Sequence, residues 1–327
     1  MARTTWKQIV HPYYKPPYPP PSHPRPTPLI QASGRPECFA SPNDEVTATP
    51  LDEDSLILPP REYSSDDGDE WWREQVSANS LFKTCIAYEQ IGEDSPRIAR
   101  YIARDEWTGL PILAKPTGLT LVGFLPRHEQ NMYQSETVDS IYLPLIFNWA
   151  FQALSGLSFF HSHNIIFNDL HLRTCWLSSD LSLSLVGFMG AEFRDEFGEL
   201  NIGNHISPVF RLTLIQKPNI QSDLFDWGTF IYVLMTYGLP EGNANYDETK
   251  ALVHQQNFPA LASDLMGDMV KKCWMKEYGS AAELRKDIEA FLTLHGYEVE
   301  GDNIKNFDPT NIPQFAMLKD TFITIIH

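Results

Sequence analysis

A chain of 327 residues, 43% hydrophobic and 20% charged, has the length for one large domain with tails or two small domains, and the apolar content for a substantial core. Its net charge of −17 is uneven: residues 1–36 carry five Lys or Arg and no acid, whereas residues 37–70 hold eleven acids against Arg61 alone. That balance argues against nucleic acid as the main partner, because phosphate binding needs clustered Lys and Arg.

Ten of the 25 prolines fall in the first 36 residues. Proline fixes φ and removes a backbone donor, so KPPYPPPSHPRPTP cannot build a helix or a central strand. Residues 1–34 therefore read as an extended tail. Pro17-Tyr18-Pro19-Pro20 fits a loose PxxP ligand for an SH3- or WW-type partner; the alternative is a disordered tail without a dedicated partner. Residues 35–70 look like degraded strands, PECFA, DEVTATPL and DSLILPP, separated by acidic turns. Within them, Tyr63-Ser64-Ser65-Asp66-Asp67 suits an acid-directed kinase acting on Ser64 or Ser65, or is a solvated loop.

From Trp71 the pattern turns helical, with Leu81, Ile86 and Ile91 apolar in LFKTCIAYEQIG. IARYIARDE and GLPILAKP read as a strand pair. LPLIFNWAFQALSGLSFFHSH has no charged residue before its histidines and reads as a helix buried on several sides. LFDWGTFIYVLMTYG is a second buried helix, and FPALASDLMGDMVKKCWMK and SAAELRKDIEAFLTLHG are two amphipathic ones. A strand-rich small part before a larger helical part predicts an α+β fold. Residues 297–327 show no clear period and suggest no role.

Cys38, Cys85, Cys175 and Cys273 are widely spaced without a CxxC pair, which suggests neither a zinc site nor a secreted disulfide framework. MARTTWKQIVHPYY lacks the apolar core of a secretion signal, and no continuous apolar run approaches the roughly 18 residues needed to span a membrane. The expectation is an intracellular protein, cytoplasmic or nuclear, without a membrane partner. His161 and His163 lie two apart at a helix end with no acid or cysteine spaced to complete a metal site, so a turn or packing role is expected of them.

In FFHSHNIIFNDLHLRTCWLSSDLSLSLVGFMG, Asp169-Leu170-His171-Leu172-Arg173-Thr174 is followed, eighteen positions after Asp169, by Gly187-Phe188-Met189. Downstream comes Ser222-Asp223-Leu224-Phe225-Asp226-Trp227-Gly228. Together these resemble the catalytic loop, the metal loop and the SDxxxxG segment of protein kinases. The late portion is similar to the C-terminal helices of a group of fungal protein-kinase-like proteins. An isolated Asp-Leu-His could instead suggest a kinase-fold aminoglycoside or choline phosphotransferase, but Asp223 and Gly228 favour the protein-kinase branch. The resemblance implies a two-lobed domain over residues 35–296. Its N-lobe would cover about 35–117 and its C-lobe about 118–296, with helices gathering from near Tyr142.

The resemblance also assigns site positions, and most are filled by residues unsuited to the chemistry. Phosphoryl transfer depends on positioning and on neutralising triphosphate charge. The phosphate-covering loop needs glycines, yet none occurs between Gly34 and Gly68. Leu58 falls at the strand lysine, Leu56 at the small residue before it, and Thr84 at the helix glutamate, with Lys83 as a flanking alternative. Asp169 occupies the catalytic-base position, His171 the following lysine, Thr174 the metal-binding asparagine and Gly187 the metal-binding aspartate. Leu113 matches the gatekeeper and Gly118 the glycine after the hinge. Pro116 then stands where a backbone N–H usually meets adenine, and proline has none.

Large side chains at Leu56 and Trp176 would fill the space meant for adenine; the alternative is that Trp176 points into the core beside it. Phe167 and Phe188 keep a packing column behind the site, and Asp223 would brace the catalytic loop. Pro208 and Val209 stand where an Ala-Pro-Glu triplet would end, without its glutamate. The implied function is a catalytically inactive protein-kinase-like protein, a pseudokinase, working through protein contacts and without ATP or metal. The rival is an atypical ATP-dependent phosphotransferase using Asp169 with other cation ligands.

Overall fold

In the computed structural model of the chain, residues 38–39, 46–58, 70–134, 137–194, 200–202, 211–212, 215–305 and 307–312 are described. The tail at 1–34, Ser64, Ser65, Pro208 and Val209 lie outside them. The fold is mixed α+β, with small antiparallel sheets and seven α-helices among the described residues.

PECFA and DEVTATPL contribute only two-residue strands: β1 (Cys38–Phe39) pairs with β2 (Val46–Thr47). A four-stranded antiparallel sheet then joins β3 (Thr49–Pro50), β4 (Ser55–Ile57), β5 (Tyr101–Arg104) and β6 (Pro111–Ala114) in the order β3-β4-β6-β5. Pro50 closes the edge strand and Pro111 opens β6, the strand positions that tolerate a missing donor. IARYIARDE and GLPILAKP do pair, with Tyr101 opposite Leu113 and Arg104 opposite Pro111. Between β4 and β5 the helix α1 (Glu70–Ile91) packs on β5 and β6. Near its end, Glu89 accepts from the Tyr101 hydroxyl at 2.8 Å and the Arg104 guanidinium at 2.6 Å.

The helical part begins earlier than Tyr142. α2 (Leu121–Met132) carries Pro126 inside it, which breaks the pattern a sequence reading relies on. Thr120 caps it by accepting from the Gly123 N–H at 3.1 Å, and Phe124 meets Trp149 edge-to-face at 5.6 Å. After the hairpin β7 (Tyr133–Gln134) and β8 (Thr137–Val138) comes α3 (Leu143–Ser162), the central helix. The stretch Ser140–Ser162 has the length and mean hydropathy (1.3) of a membrane span, but 72% of its most apolar window is buried within the fold. It serves here as a core helix.

β9 (Cys175–Leu177) and β10 (Leu183–Leu185) form a hairpin on α3, and β11 (Glu192–Arg194) pairs with β12 (Leu200–Ile202). α4 (Ile220–Thr236) starts in a capping box between Asn219 and Ser222. Trp227 on α4 donates to the Ala150 carbonyl at 2.9 Å, tying α4 to α3. A Cβ at Gly228 would sit 3.0 Å from Cys273 Cβ and 3.2 Å from the Val270 carbonyl oxygen, so glycine permits the close approach of α4 to α6 (Gly267–Trp274). α5 (Tyr246–His254) intervenes and α7 (Ala281–Leu294) ends the bundle.

FPALASDLMGDMVKKCWMK is not one helix. A short 3-10 turn at Ser263–Leu265 is followed by Met266 at φ 64°, and α6 starts only at Gly267. A left-handed residue cannot continue an α-helix. Residues after Gly296 form the hairpin β13 (Val299–Glu300) and β14 (Asn303–Ile304), packed on α3. Asn148 accepts from the Ile304 N–H at 3.0 Å, and Gln152 donates to Asn303 Oδ1 at 2.6 Å. Arg97 grips Asp302 with two bonds of 2.5 and 2.8 Å. The segment without periodicity is therefore held by side-chain hydrogen bonds, which leave no hydrophobic period to read.

Candidate functional site

The segment leaving α3 reaches Asn168 at φ 54°, a left-handed conformation that asparagine tolerates better than most residues. The backbone N–H groups of Phe167 and Asn168 both donate to the Asp223 carboxylate, at 2.9 and 2.6 Å. Asp223 lies in the first turn of α4, where the helix dipole favours its charge. His161, at the end of α3, places Nε2 2.7 Å from the same carboxylate. That histidine is thus a hydrogen-bond partner of Asp223, more than the turn or packing residue its spacing suggested. One carboxylate joins two helices and the loop.

Asp169 is buried, and its Oδ1 lies 3.0 Å from Arg211 Nη2. Arg211, itself only 4% exposed, also donates through Nη1 to the Asn168 carbonyl at 2.9 Å. Its Nε stands 3.9 Å from Asp226 Oδ2. His171 Nε2 lies 3.6 Å from Asp169 Oδ1, too far for a hydrogen bond. Burial lowers the His171 pKa despite the charge of Asp169, favouring neutral imidazole. Burial pushes the Asp226 carboxyl up to about 8; Asp223 and Asp169 add to this, while Arg211 opposes it. Among the described residues, neither Asp226 oxygen has a hydrogen-bond partner.

Arg211 and Asp226 escaped the sequence reading. The available signal was a lone arginine in VFRLTL and a second acid in SDLFDWG, since a cation among apolar residues needs a buried carboxylate.

Thr174 spends its hydroxyl on the loop itself, donating to the Asp169 carbonyl at 2.7 Å and accepting from the His171 N–H at 3.1 Å. The Val186 N–H donates to the Thr174 carbonyl at 2.9 Å, and Asn168 Nδ2 to the Gly190 carbonyl at 3.2 Å. These bonds bring the Asp169 loop and the Gly187 turn together. Gly187 adopts φ 77°, a conformation glycine accepts without strain. Thr174 and Gly187 supply none of the carboxylates that Mg²⁺ favours. Among the described residues, no group of three or more His, Cys, Asp or Glu side chains could hold a metal ion.

Leu56 sits on β4 opposite Leu113 on β6, and Leu58 follows directly, its N–H bonded to the Pro111 carbonyl at 3.1 Å. Trp176 lies on β9 opposite Ser184 and bridges to Thr120. Thr84 donates to the Ser80 carbonyl at 3.0 Å and accepts from the Phe188 N–H at 3.3 Å. Leu56, Leu58, Thr84, Leu113, Thr174 and Trp176 are all buried, and Pro116 is half-buried. Behind them, Phe167 and Phe188 meet edge-to-face at 6.0 Å, with Phe160 within 5.0 Å of each. Tyr88 extends the column, 4.7 Å from Phe188 and stacked on Tyr101 at 5.1 Å.

A scan against protein-family models finds no match to this chain.

Proposed function

We propose that this chain is a degenerate protein-kinase-like protein, a pseudokinase, that acts by binding other proteins and transfers no phosphate. Support for the architecture comes from a small antiparallel sheet bearing one helix, followed by a helical bundle whose loop and turn carry Asp169 and Gly187 side by side. The observation that carries the inactive reading is the Asp169–Arg211 pair. A general base must reach the proton it abstracts; a buried carboxylate whose oxygen is taken up by a buried guanidinium does not. Thr174 has committed its hydroxyl, Gly187 has no side chain, and Leu58 stands where a cation would meet phosphate. Losing these groups costs about 1.4 kcal/mol of barrier per tenfold in rate, and the losses combine non-additively.

The test is radiolabelled phosphoryl transfer to protein substrates with the full chain and with Asp169→Ala. No incorporation above the variant's background is expected. Transfer that disappears in Asp169→Ala would overturn the reading in favour of an atypical phosphotransferase.

A further inference from the structure

Where α1 ends and the chain turns toward β5, residues 88–89, 91–95 and 98–101 line a cavity of about 300 Å³. That is the lower end of the range, about 300–1,000 Å³, that holds small ligands. It suits a single side chain better than a nucleotide. The lining grades from apolar to charged, with three acids (Glu89, Glu93 and Asp94) against one cation, Arg100. Ile91 and Ile98 are buried, and the rings of Tyr88 and Tyr101 lie parallel within 6°. Tyr88 is 6% exposed, its ring edge-to-face with Phe188 at 4.7 Å.

Toward solvent stand Glu93 and Asp94, whose side chains are 62% and 71% exposed. Their present partners are weak: His163 lies 3.3 Å from Glu93 and Arg100 3.6 Å from Asp94, pairs at solvent level that water screens. Glu89 is already committed to Tyr101 and Arg104.

A long apolar stem with a cationic head complements such a gradient. Arginine fits it better than lysine, because the planar guanidinium engages carboxylates two at a time and stacks on aromatic rings, whereas ammonium is a strongly hydrated point charge. We infer that this cavity receives an arginine side chain from a protein partner, its stem along Ile91 and Ile98 and its guanidinium between Glu93 and Asp94. The inference rests on the reading of the chain as a protein-binding module and names the chemistry of the partner. A chain of net charge −17 also attracts cationic segments over distance.

The test is an NMR titration of the full ¹⁵N-labelled chain with N-acetylarginine amide, N-acetyllysine amide and N-acetylcitrulline amide, the last matching arginine in shape without its charge. Saturable shifts of amides in residues 88–101 are expected with the arginine compound. Affinity should fall about tenfold or more for the other two compounds, and equally for the arginine compound with the Glu93→Gln/Asp94→Asn double variant. Both changed residues are exposed, and an unaltered melting temperature confirms that the variant folds. Absence of saturable shifts, equal binding of the citrulline compound, or undiminished binding to the variant would overturn the site. Equal binding of the lysine compound would overturn the choice of arginine. Phosphoryl transfer is read separately: its appearance would remove the pseudokinase reading and leave the titration standing, whereas a silent titration would remove only this site.

Discussion

Arg211 closes over Asp169: one guanidinium bonds the Asp169 carboxylate at 3.0 Å and the Asn168 carbonyl at 2.9 Å, so one cation holds both the Asp169 side chain and the carbonyl that precedes it. Such a pair gives little net stability compared with an apolar replacement of both partners, yet losing one partner strands a buried charge. Arg211→Ala should therefore destabilise the protein by about 3–5 kcal/mol. Chemical denaturation would show this as a lower midpoint, and a change under about 1 kcal/mol would mean that the pair is open in solution. Asp169→Asn, which keeps an acceptor for Arg211, should cost less than Arg211→Ala.

Asp226 gives the same network a pH dependence. Its folded pKa is raised to about 8, mainly by burial, from an unfolded value near 3.8. The native state keeps the proton where the unfolded chain has lost it, so the unfolded state binds fewer protons across that interval. Stability from this group is fully present below the unfolded value and declines as pH rises, levelling off once pH passes the folded value. Urea midpoints measured from pH 5 to 9 should fall with rising pH, and Asp226→Asn should flatten that fall. An unchanged slope in the variant would show that Asp226 is ionised in the native state at neutral pH.

The elements legible in the sequence were those whose burial has a period. α3 and α4 are nearly uncharged and are found as the central helices, and the β5–β6 pair is where its β-branched and aromatic residues place it. α2 was hidden by Pro126, and α6 was overextended because the apolar spacing of FPALASDLMGDMVKKCWMK runs on through the break at Met266 and Gly267. In the site, the Asp169 and Gly187 segments do lie together. Their closing partner Arg211 lies 42 positions downstream of Asp169, and ion pairs of that separation leave no local pattern. The same holds for Arg97 and Asp302, 205 positions apart.

That second pair makes the hairpin after α7 part of the fold's mechanics. Arg97 lies between α1 and β5 and is bonded to Asp302, to Asn303 Oδ1 at 2.9 Å and to the Leu183 carbonyl at 3.3 Å. Hydrogen bonds to charged groups contribute about 1.5–3 kcal/mol. Arg97→Ala should lower stability by that order and should speed amide exchange at Ile304, which bonds Asn148. Slow exchange at Ile304 in the variant would show that Asn148 and Gln152 hold the hairpin without Arg97.

The last prediction concerns Leu56 and Trp176, the two large residues that the protein-kinase resemblance sets on either side of an adenine pocket. Both are buried, Leu56 within the four-stranded sheet and Trp176 in the β9–β10 hairpin, bridged to Thr120 at the start of α2. Truncating a buried leucine to alanine costs about 2–5 kcal/mol and a buried tryptophan about 3–5 kcal/mol, so Leu56→Ala and Trp176→Ala should each lower the denaturation midpoint markedly. Ligand binding gives the complementary measurement. A ligand that binds only the native state stabilises it by RT ln(1 + [L]/Kd), about 2.7 kcal/mol at a hundredfold excess over Kd. Millimolar Mg-ATP should leave the melting temperature of the native chain unchanged. A reproducible Mg²⁺-dependent rise that disappears in Gly187→Arg would show that nucleotide binds beside the Gly187 turn. A near-neutral Leu56→Ala/Trp176→Ala double variant would show that these side chains do not fill the space, leaving Thr174, Gly187 and Leu58 as the grounds against nucleotide binding.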